Sequence, residues 1–213
     1  MRLRGLYAIT PDEADSARLA SRVRAALEAS EPAGWAALQY RNKAAGPALR
    51  LEQARLLGAL ARARGVPFIV NDDLELAIST GADGVHLGRN DGDLASARRR
   101  LPGKLLGVSC YDSLAAARVA VAAGADYVAF GSVFASATKP AAVRAPLALF
   151  REARALGVPV VAIGGIRLEN AAEVLQAGAD ALAVISDLFD ASDVAARSRA
   201  FVGLFASLPS VTA

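Results

Sequence analysis

Short apolar runs and longer stretches of helical spacing alternate along the chain. "RLASRVRAALEA", "LEQARLLGALARAR", "SLAAARVAVAA" and "NAAEVLQA" each carry an apolar stripe with polar residues opposite, the spacing of amphipathic helices. Between them lie strand-length apolar pieces near 6–10, 36–41, 67–71, 84–87, 105–109, 127–130, 158–163 and 181–186. Continuous apolarity marks strands buried on both faces, as in a parallel sheet joined by helices. Eight such strands predict a closed (β/α)8 TIM barrel of the α/β class, a single domain over 1–213. An open doubly wound sheet is the rival, but the chain has no G-x-G-x-x-G fingerprint.

The pattern repeats in words as well as in period. "TGADGVHLG" at 80–88, "AGADYVAFG" at 123–131 and "AGADALAVI" at 177–185 share a glycine, Ala-Asp and an apolar run, with "AGWAALQY" at 33–40 a weaker copy. "RGVPFIV" from 64 and "LGVPVVA" from 156 form a second phrase. Glycine suits the left-handed position that closes a helix, and the following proline prevents its continuation.

Composition narrows the function classes. Hydrophobic residues make up 54% of the chain and charged residues 21%, which excludes disorder. No apolar stretch approaches the ~20 residues of a membrane-spanning helix. "MRLRGLYAITPDE" has no apolar signal core, so a cytoplasmic protein is expected. A lone cysteine, Cys110, excludes an internal disulfide and a Cys-rich zinc site, and a lone histidine, His86, excludes a multi-histidine metal site. The net charge is +3 and the basic residues are dispersed except for Arg98–Arg100, which read as the solvated end of a helix. Without a basic stripe and interleaved aromatics, nucleic acid is not an expected partner.

In a barrel, polar residues that follow the strands share the C-terminal rim, where this fold builds its sites. Those residues are Gln39, Arg41 and Lys43 after strand two, Asn71 and Asp72 after strand three, and Asp91 after strand four. Ser109 ends strand five, Ser136, Thr138 and Lys139 follow strand six, Gly164-Gly165 follow strand seven, and Ile185-Ser186 end strand eight. Two carboxylates on neighbouring loops suit Mg²⁺, which takes few protein carboxylates and keeps other oxygen ligands. Arg41, Lys43 and Lys139 suit a pyrophosphate, and the "IGGI" and "VIS" turns offer backbone N–H groups to a second phosphate. Singly, each residue also has a plain structural reading. Asp73 reads as a helix N-cap and Asp91 is open to the same reading, His86 and Cys110 fit the core, and Trp35 fits packing. The combination at corresponding strand ends is what points to a phosphate site.

"LQYRNK", "VNDDLELA", "GADGVHLGRND", "GVSCY", "GADYVAFGSVFASATKP" and "VVAIGGI", in this order, resemble the thiamine-phosphate synthase family from "LYAIT" to "AVISDLF". The resemblance implies transfer of an aminopyrimidinylmethyl group from its pyrophosphate to a thiazole phosphate, giving thiamine phosphate. It implies that Gln39, Tyr40, Arg41, Asn42, Lys43, Asn71, Ser109 and Lys139 contact the pyrimidine pyrophosphate. Among these, Arg41, Lys43, Ser109 and Lys139 would be catalytic. Ser136, Ala137, Thr138, Gly165, Ile185 and Ser186 would hold the thiazole phosphate, and Asp72 and Asp91 would bind Mg²⁺ as cofactor. Ser136 stands where threonine is frequent in the family, and Tyr111 where histidine is expected. The implied chemistry is dissociative: pyrophosphate leaves first, the pyrimidine ring delocalises the charge, and the thiazole nitrogen attacks. It needs no cysteine nucleophile or histidine base, but does need charge stabilisation on the leaving group. A thiazole tautomerase-like isomerase and a non-catalytic phosphate sensor are the alternatives, and a homo-oligomer is compatible with all three.

Overall fold

The computed structural model describes residues 3–135 and 143–207. Eight parallel strands close on one another in chain order: β1 (Gly5–Ile9), β2 (Trp35–Tyr40), β3 (Phe68–Asn71), β4 (Gly84–Leu87), β5 (Leu105–Tyr111), β6 (Tyr127–Phe130), β7 (Val160–Ile163) and β8 (Ala181–Val184). Closure is completed by β1 against β8, with Gly5 opposite Ala181 and Ala8 opposite Val184. The barrel expected from the apolar pattern is therefore present, with strand ends displaced by up to two residues.

Helices alternate with the strands: α1 (Ser16–Glu28), α2 (Pro47–Ala63), α3 (Leu74–Thr80), α4 (Leu94–Arg100), α5 (Leu114–Ala122), α6 (Ala148–Ala153), α7 (Leu168–Gln176), α8 (Ser186–Phe189) and α9 (Val194–Ser207). Side-chain caps start several of them. Asp15 accepts from Ala17 and Arg18 N–H, Asp73 from Leu76, Asp93 from Ser96 and Ser113 from Ala116. Asp73 is thus the cap expected of it, whereas α4 is capped by Asp93 and Asp91 stays free of that task. Among the described residues no helix is long and apolar enough to cross a membrane.

The period of two along each strand divides the core. Leu6, Leu38, Val70, Val85, Leu106, Val128, Ala162 and Leu182 face the helices, where Phe150 meets Phe130 edge-on at 5.9 Å. Tyr7, Ile9, Ala37, Ile69, Tyr127, Ala129, Val161, Ala181 and Ala183 form a separate interior cluster. Tyr7 and Tyr127 fill that interior, and Gly107 makes their fit possible. A Cβ at Gly107 would lie 2.0 Å from Cζ of Tyr127.

The repeated Gly-Ala-Asp phrase proves to be a structural stitch. Its glycines take positive φ (Gly81 64°, Gly124 94°, Gly178 113°), which ends the helix and turns the chain into the next strand. Its aspartates then accept from an N–H at the start of the preceding strand: Asp83 from Phe68, Asp126 from Leu106 and Asp180 from Val160, at 2.7–2.9 Å. Asp180→Ala is expected to cost about 1–2 kcal/mol, measured by urea unfolding. An unchanged midpoint would show the stitch to be idle.

Within the triplet Arg98–Arg100, only Arg98 departs from the solvated reading. Arg98 is half-buried, pairs with Asp126 at 2.8 Å and donates to the carbonyls of Leu101 and Lys104, so it ties the end of α4 to the β6 stitch. Arg99 and Arg100 are exposed at the helix end as expected, with Arg100 paired at the surface with Glu75 of α3.

Candidate active site

Interior-facing residues change character toward the C-terminal ends of the strands. Below are Tyr7, Tyr127 and Val161; above are Gln39, Asn71, His86, Ser109, Ala129 and Ala183, which are polar or small. Small residues leave space and polar ones line it, producing a cavity of about 520 Å³ at the rim. Gln39, Arg41, Lys43, Asn71, Asp72, Asp91, Ser109, Gly165, Ile185 and Ser186 all line it, as the strand-end reading expects.

Two residues expected to touch substrate point elsewhere. Tyr40 is buried on the helix side, where its hydroxyl donates to Gln53 Oε1 at 2.9 Å. Asn42 Nδ2 donates to the same oxygen and to Glu13 O. Both alternate with Gln39, Arg41 and Lys43, so the pleat that aims those three inward turns Tyr40 and Asn42 toward α2. Ser136, Ala137, Thr138 and Lys139 lie outside the described residues.

The acidic corner is tightly organised. Asp72 has φ 61°, a left-handed conformation that an aspartate tolerates better than most residues. Its Oδ2 lies 3.1 Å from Lys43 Nζ, and its carboxyl stands beside that of Asp91. Asp91 Oδ2 also accepts from Gly88 N–H at 2.8 Å, and a Cβ at 88, 2.7 Å from that oxygen, would push the carboxylate aside. Burial first, and the neighbouring Asp72 next, hold the Asp91 carboxyl above the usual carboxylate range. For Asp72, burial also pushes upward, but hydrogen bonding to Asp91 and the Lys43 ammonium outweigh it and the carboxyl is held low. Two carboxylates this close need a shared proton or a cation between them. Among the described residues no group of three or more acidic, histidine or cysteine side chains could hold a metal ion, so two acids alone would leave most of a cation's shell to other oxygens.

Arg41 and Lys43 are braced by a residue that the strand-end reading passed over. Asp12 pairs with the Arg41 guanidinium at 3.0 Å and accepts from Lys43 N–H at 2.6 Å. Thr10 Oγ1 accepts from Arg41 N–H and donates to its carbonyl, both at 2.8 Å. Gln39 Nε2 donates to Asn71 Oδ1 at 2.9 Å, linking β2 to β3 across the cavity floor. His86 is buried and hydrogen-bonded as expected, yet it also lines the cavity, and burial pushes its imidazole down to about 4. Cys110 and Trp35 are core residues, as read; burial pushes the Cys110 thiol up to about 12. Tyr111, at φ 57°, lines the opening with Arg89 stacked over its ring at 4.9 Å.

The opposite edge combines a glycine turn, backbone N–H groups and charged side chains. Gly165 has φ 64°, and a Cβ there would lie 2.4 Å from Ala135 O, so only glycine lets the turn pack against the β6 loop. Among the described residues neither Gly165 N–H nor Ser186 N–H donates to a backbone carbonyl. Arg167, Asp187 and Arg197 also line this edge and were missed by the strand-end reading. Arg167 follows "IGGI" directly and was open to detection, but Asp187 and Arg197 come from α8 and α9, beyond any strand end. Arg197 is neutralised by Asp187 at 3.0 Å, whereas Arg167 has no acidic partner among the described residues.

Fold and cavity together define the class, a (β/α)8 enzyme of phosphorylated small molecules. The profile of the family described as thiamine monophosphate synthase matches residues 6–188, and the chain belongs to that family. It is 62% identical over 206 residues to the thiamine-phosphate synthase of Aromatoleum aromaticum, covering 96% of this chain and 97% of that one. It is 58% identical over 205 residues to the enzyme of the same name from Chromobacterium violaceum, with 96% and 97% coverage. Among solved structures, thiamine phosphate pyrophosphorylase from Pyrococcus furiosus superposes with a TM-score of 0.84 at 34% identity, over 98% of each chain.

Proposed function

We propose that this enzyme joins an aminopyrimidine carrying a methylene pyrophosphate to a thiazole phosphate, yielding thiamine phosphate and free pyrophosphate. The observation that carries the reading is the two-ended cavity. Asp72, Asp91, Lys43 and Arg41 crowd one end, and Gly165, Ser186 and Arg167, which has no acidic partner among the described residues, form the other. Such a site accommodates two phosphorylated partners at once, which converts their encounter into a reaction between held neighbours.

In this reading the methylene–oxygen bond breaks, the electron pair leaves with pyrophosphate, and the thiazole nitrogen then forms the new bond to the methylene carbon. Mg²⁺ held by Asp72 and Asp91 would supply charge to the departing pyrophosphate. Arg41, fixed by Asp12 and Thr10, meets the same group with little reorganisation. Lys43, now on Asp72, is within reach to turn to a phosphate oxygen. Lys139 would add a further cation. The substrates are small molecules and the setting is cytoplasmic. A thiazole isomerase has no use for the paired acids beside Lys43, which favours the transferase over it.

The test is pyrophosphate release from purified protein supplied with both substrates and Mg²⁺. Release coupled one-to-one to thiamine phosphate, and abolished by chelator, is the expected result. Binding of the thiazole phosphate without release would instead favour an isomerase or a sensor.

A further inference from the structure

Beneath the cavity runs a chain of buried polar groups that ends on Ser109 at the cavity wall. Tyr7 Oη lies 2.7 Å from Tyr127 Oη, Tyr127 Oη lies 3.1 Å from His86 Nδ1, and His86 Nε2 lies 2.9 Å from Ser109 Oγ. The tyrosines are fully enclosed, at 1% and 0% exposure, while Ser109 reaches the cavity. The His86 and Tyr127 rings also stack, with centroids 5.6 Å apart.

Proton counting gives this chain a direction. Each hydroxyl has one proton to donate, and a neutral imidazole has one N–H and one bare nitrogen. Tyr7 Oη has Tyr127 Oη as its sole hydrogen-bond partner among the described residues. A buried donor without an acceptor is costly, so Tyr7 donates and Tyr127 accepts. The Tyr127 proton then goes to His86 Nδ1, which is the bare nitrogen. Nε2 carries the imidazole proton and donates it to Ser109 Oγ. Ser109, already accepting, has its own proton free to turn toward the cavity. The reverse polarity would strand the Tyr7 proton in an apolar interior.

We propose that Tyr7, Tyr127 and His86 form a one-way relay that holds Ser109 as a hydrogen-bond donor to an acceptor atom of the bound pyrimidine pyrophosphate. The last link rests on the function proposed above; the polarity of the relay does not. Tyr7, Tyr127 and His86 act here as positioning residues, since both ring nitrogens of His86 are engaged within the chain and Ser109 carries the hydrogen bond to the ligand.

The single histidine makes the polarity directly readable. Nuclear magnetic resonance of protein carrying nitrogen-labelled histidine, without substrate, is expected to show one imidazole protonated at Nε2 and bare at Nδ1. A proton on Nδ1, or on both nitrogens, would overturn the relay. The functional link is tested by a double-mutant cycle. Tyr127→Phe is expected to raise KM for the pyrimidine substrate about fivefold, with kcat changing less. In a Ser109→Ala background the same change is expected to have no further effect. Independent, multiplying effects would show that Tyr127 does not act through Ser109, even with the Nε2 proton in place. Melting curves of each variant confirm that folded proteins are compared.

Discussion

Asp72→Asn is expected to lower kcat for pyrophosphate release by about 10²–10³-fold, the range for loss of a main electrostatic contributor, while leaving the barrel folded. Asparagine isolates the charge. It tolerates the left-handed φ of 61° that position 72 requires, which alanine does poorly. It also retains hydrogen-bonding capacity toward Asp91. What it loses is one of two acids pressed together beside the Lys43 ammonium, an arrangement expected to favour a metal cation. The melting temperature without metal is therefore expected to stay within about 2 °C of the parent. Mg²⁺ is expected to raise the melting temperature of the parent and to leave that of the variant unchanged. Full turnover by Asp72→Asn would remove these carboxylates from the proposed mechanism.

Gly107→Ala is expected to be among the most damaging substitutions for stability, costing about 3 kcal/mol and lowering the melting temperature by roughly 10 °C. The cause is steric. The added Cβ would overlap the Tyr127 ring at Cζ, Cε2 and the hydroxyl, all within 2.5 Å. Tyr127 has nowhere to retreat, being fully buried and hydrogen-bonded to both Tyr7 and His86. Calorimetry compares the two proteins; an unchanged transition would mean that the interior is looser than its contacts indicate. Since the displaced group belongs to the relay, a folded Gly107→Ala protein should also lose the single imidazole tautomer.

The barrel was legible in the sequence because parallel strands leave two strong traces, continuous apolar runs and glycine-ended helices between them. The rim was legible for a related reason: where a buried strand ends, its next inward residue is free to be polar, as Gln39, Asn71 and Ser109 are. The same rule, applied with its period of two, would have set Tyr40 and Asn42 aside. Asp12 was hidden because its work is indirect: it braces Arg41 and Lys43 from the loop after β1. The relay was hidden more deeply. Tyr7 and Tyr127 are separated by 120 positions and read locally as ordinary strand aromatics. Only closure of the barrel brings their hydroxyls together.

The Gly-Ala-Asp stitches have a consequence for how such a protein is able to change. They secure the strands at their N-terminal ends, whereas the acids, cations and open N–H groups of the cavity sit at the opposite ends. Alterations at the two ends share few partners, and effects at distant sites without shared partners add. The scaffold can therefore absorb trial and error in its ligand loops without endangering its closure. Seen this way, three modest aspartates are a source of evolvability, because they keep the task of staying folded apart from the task of choosing a ligand.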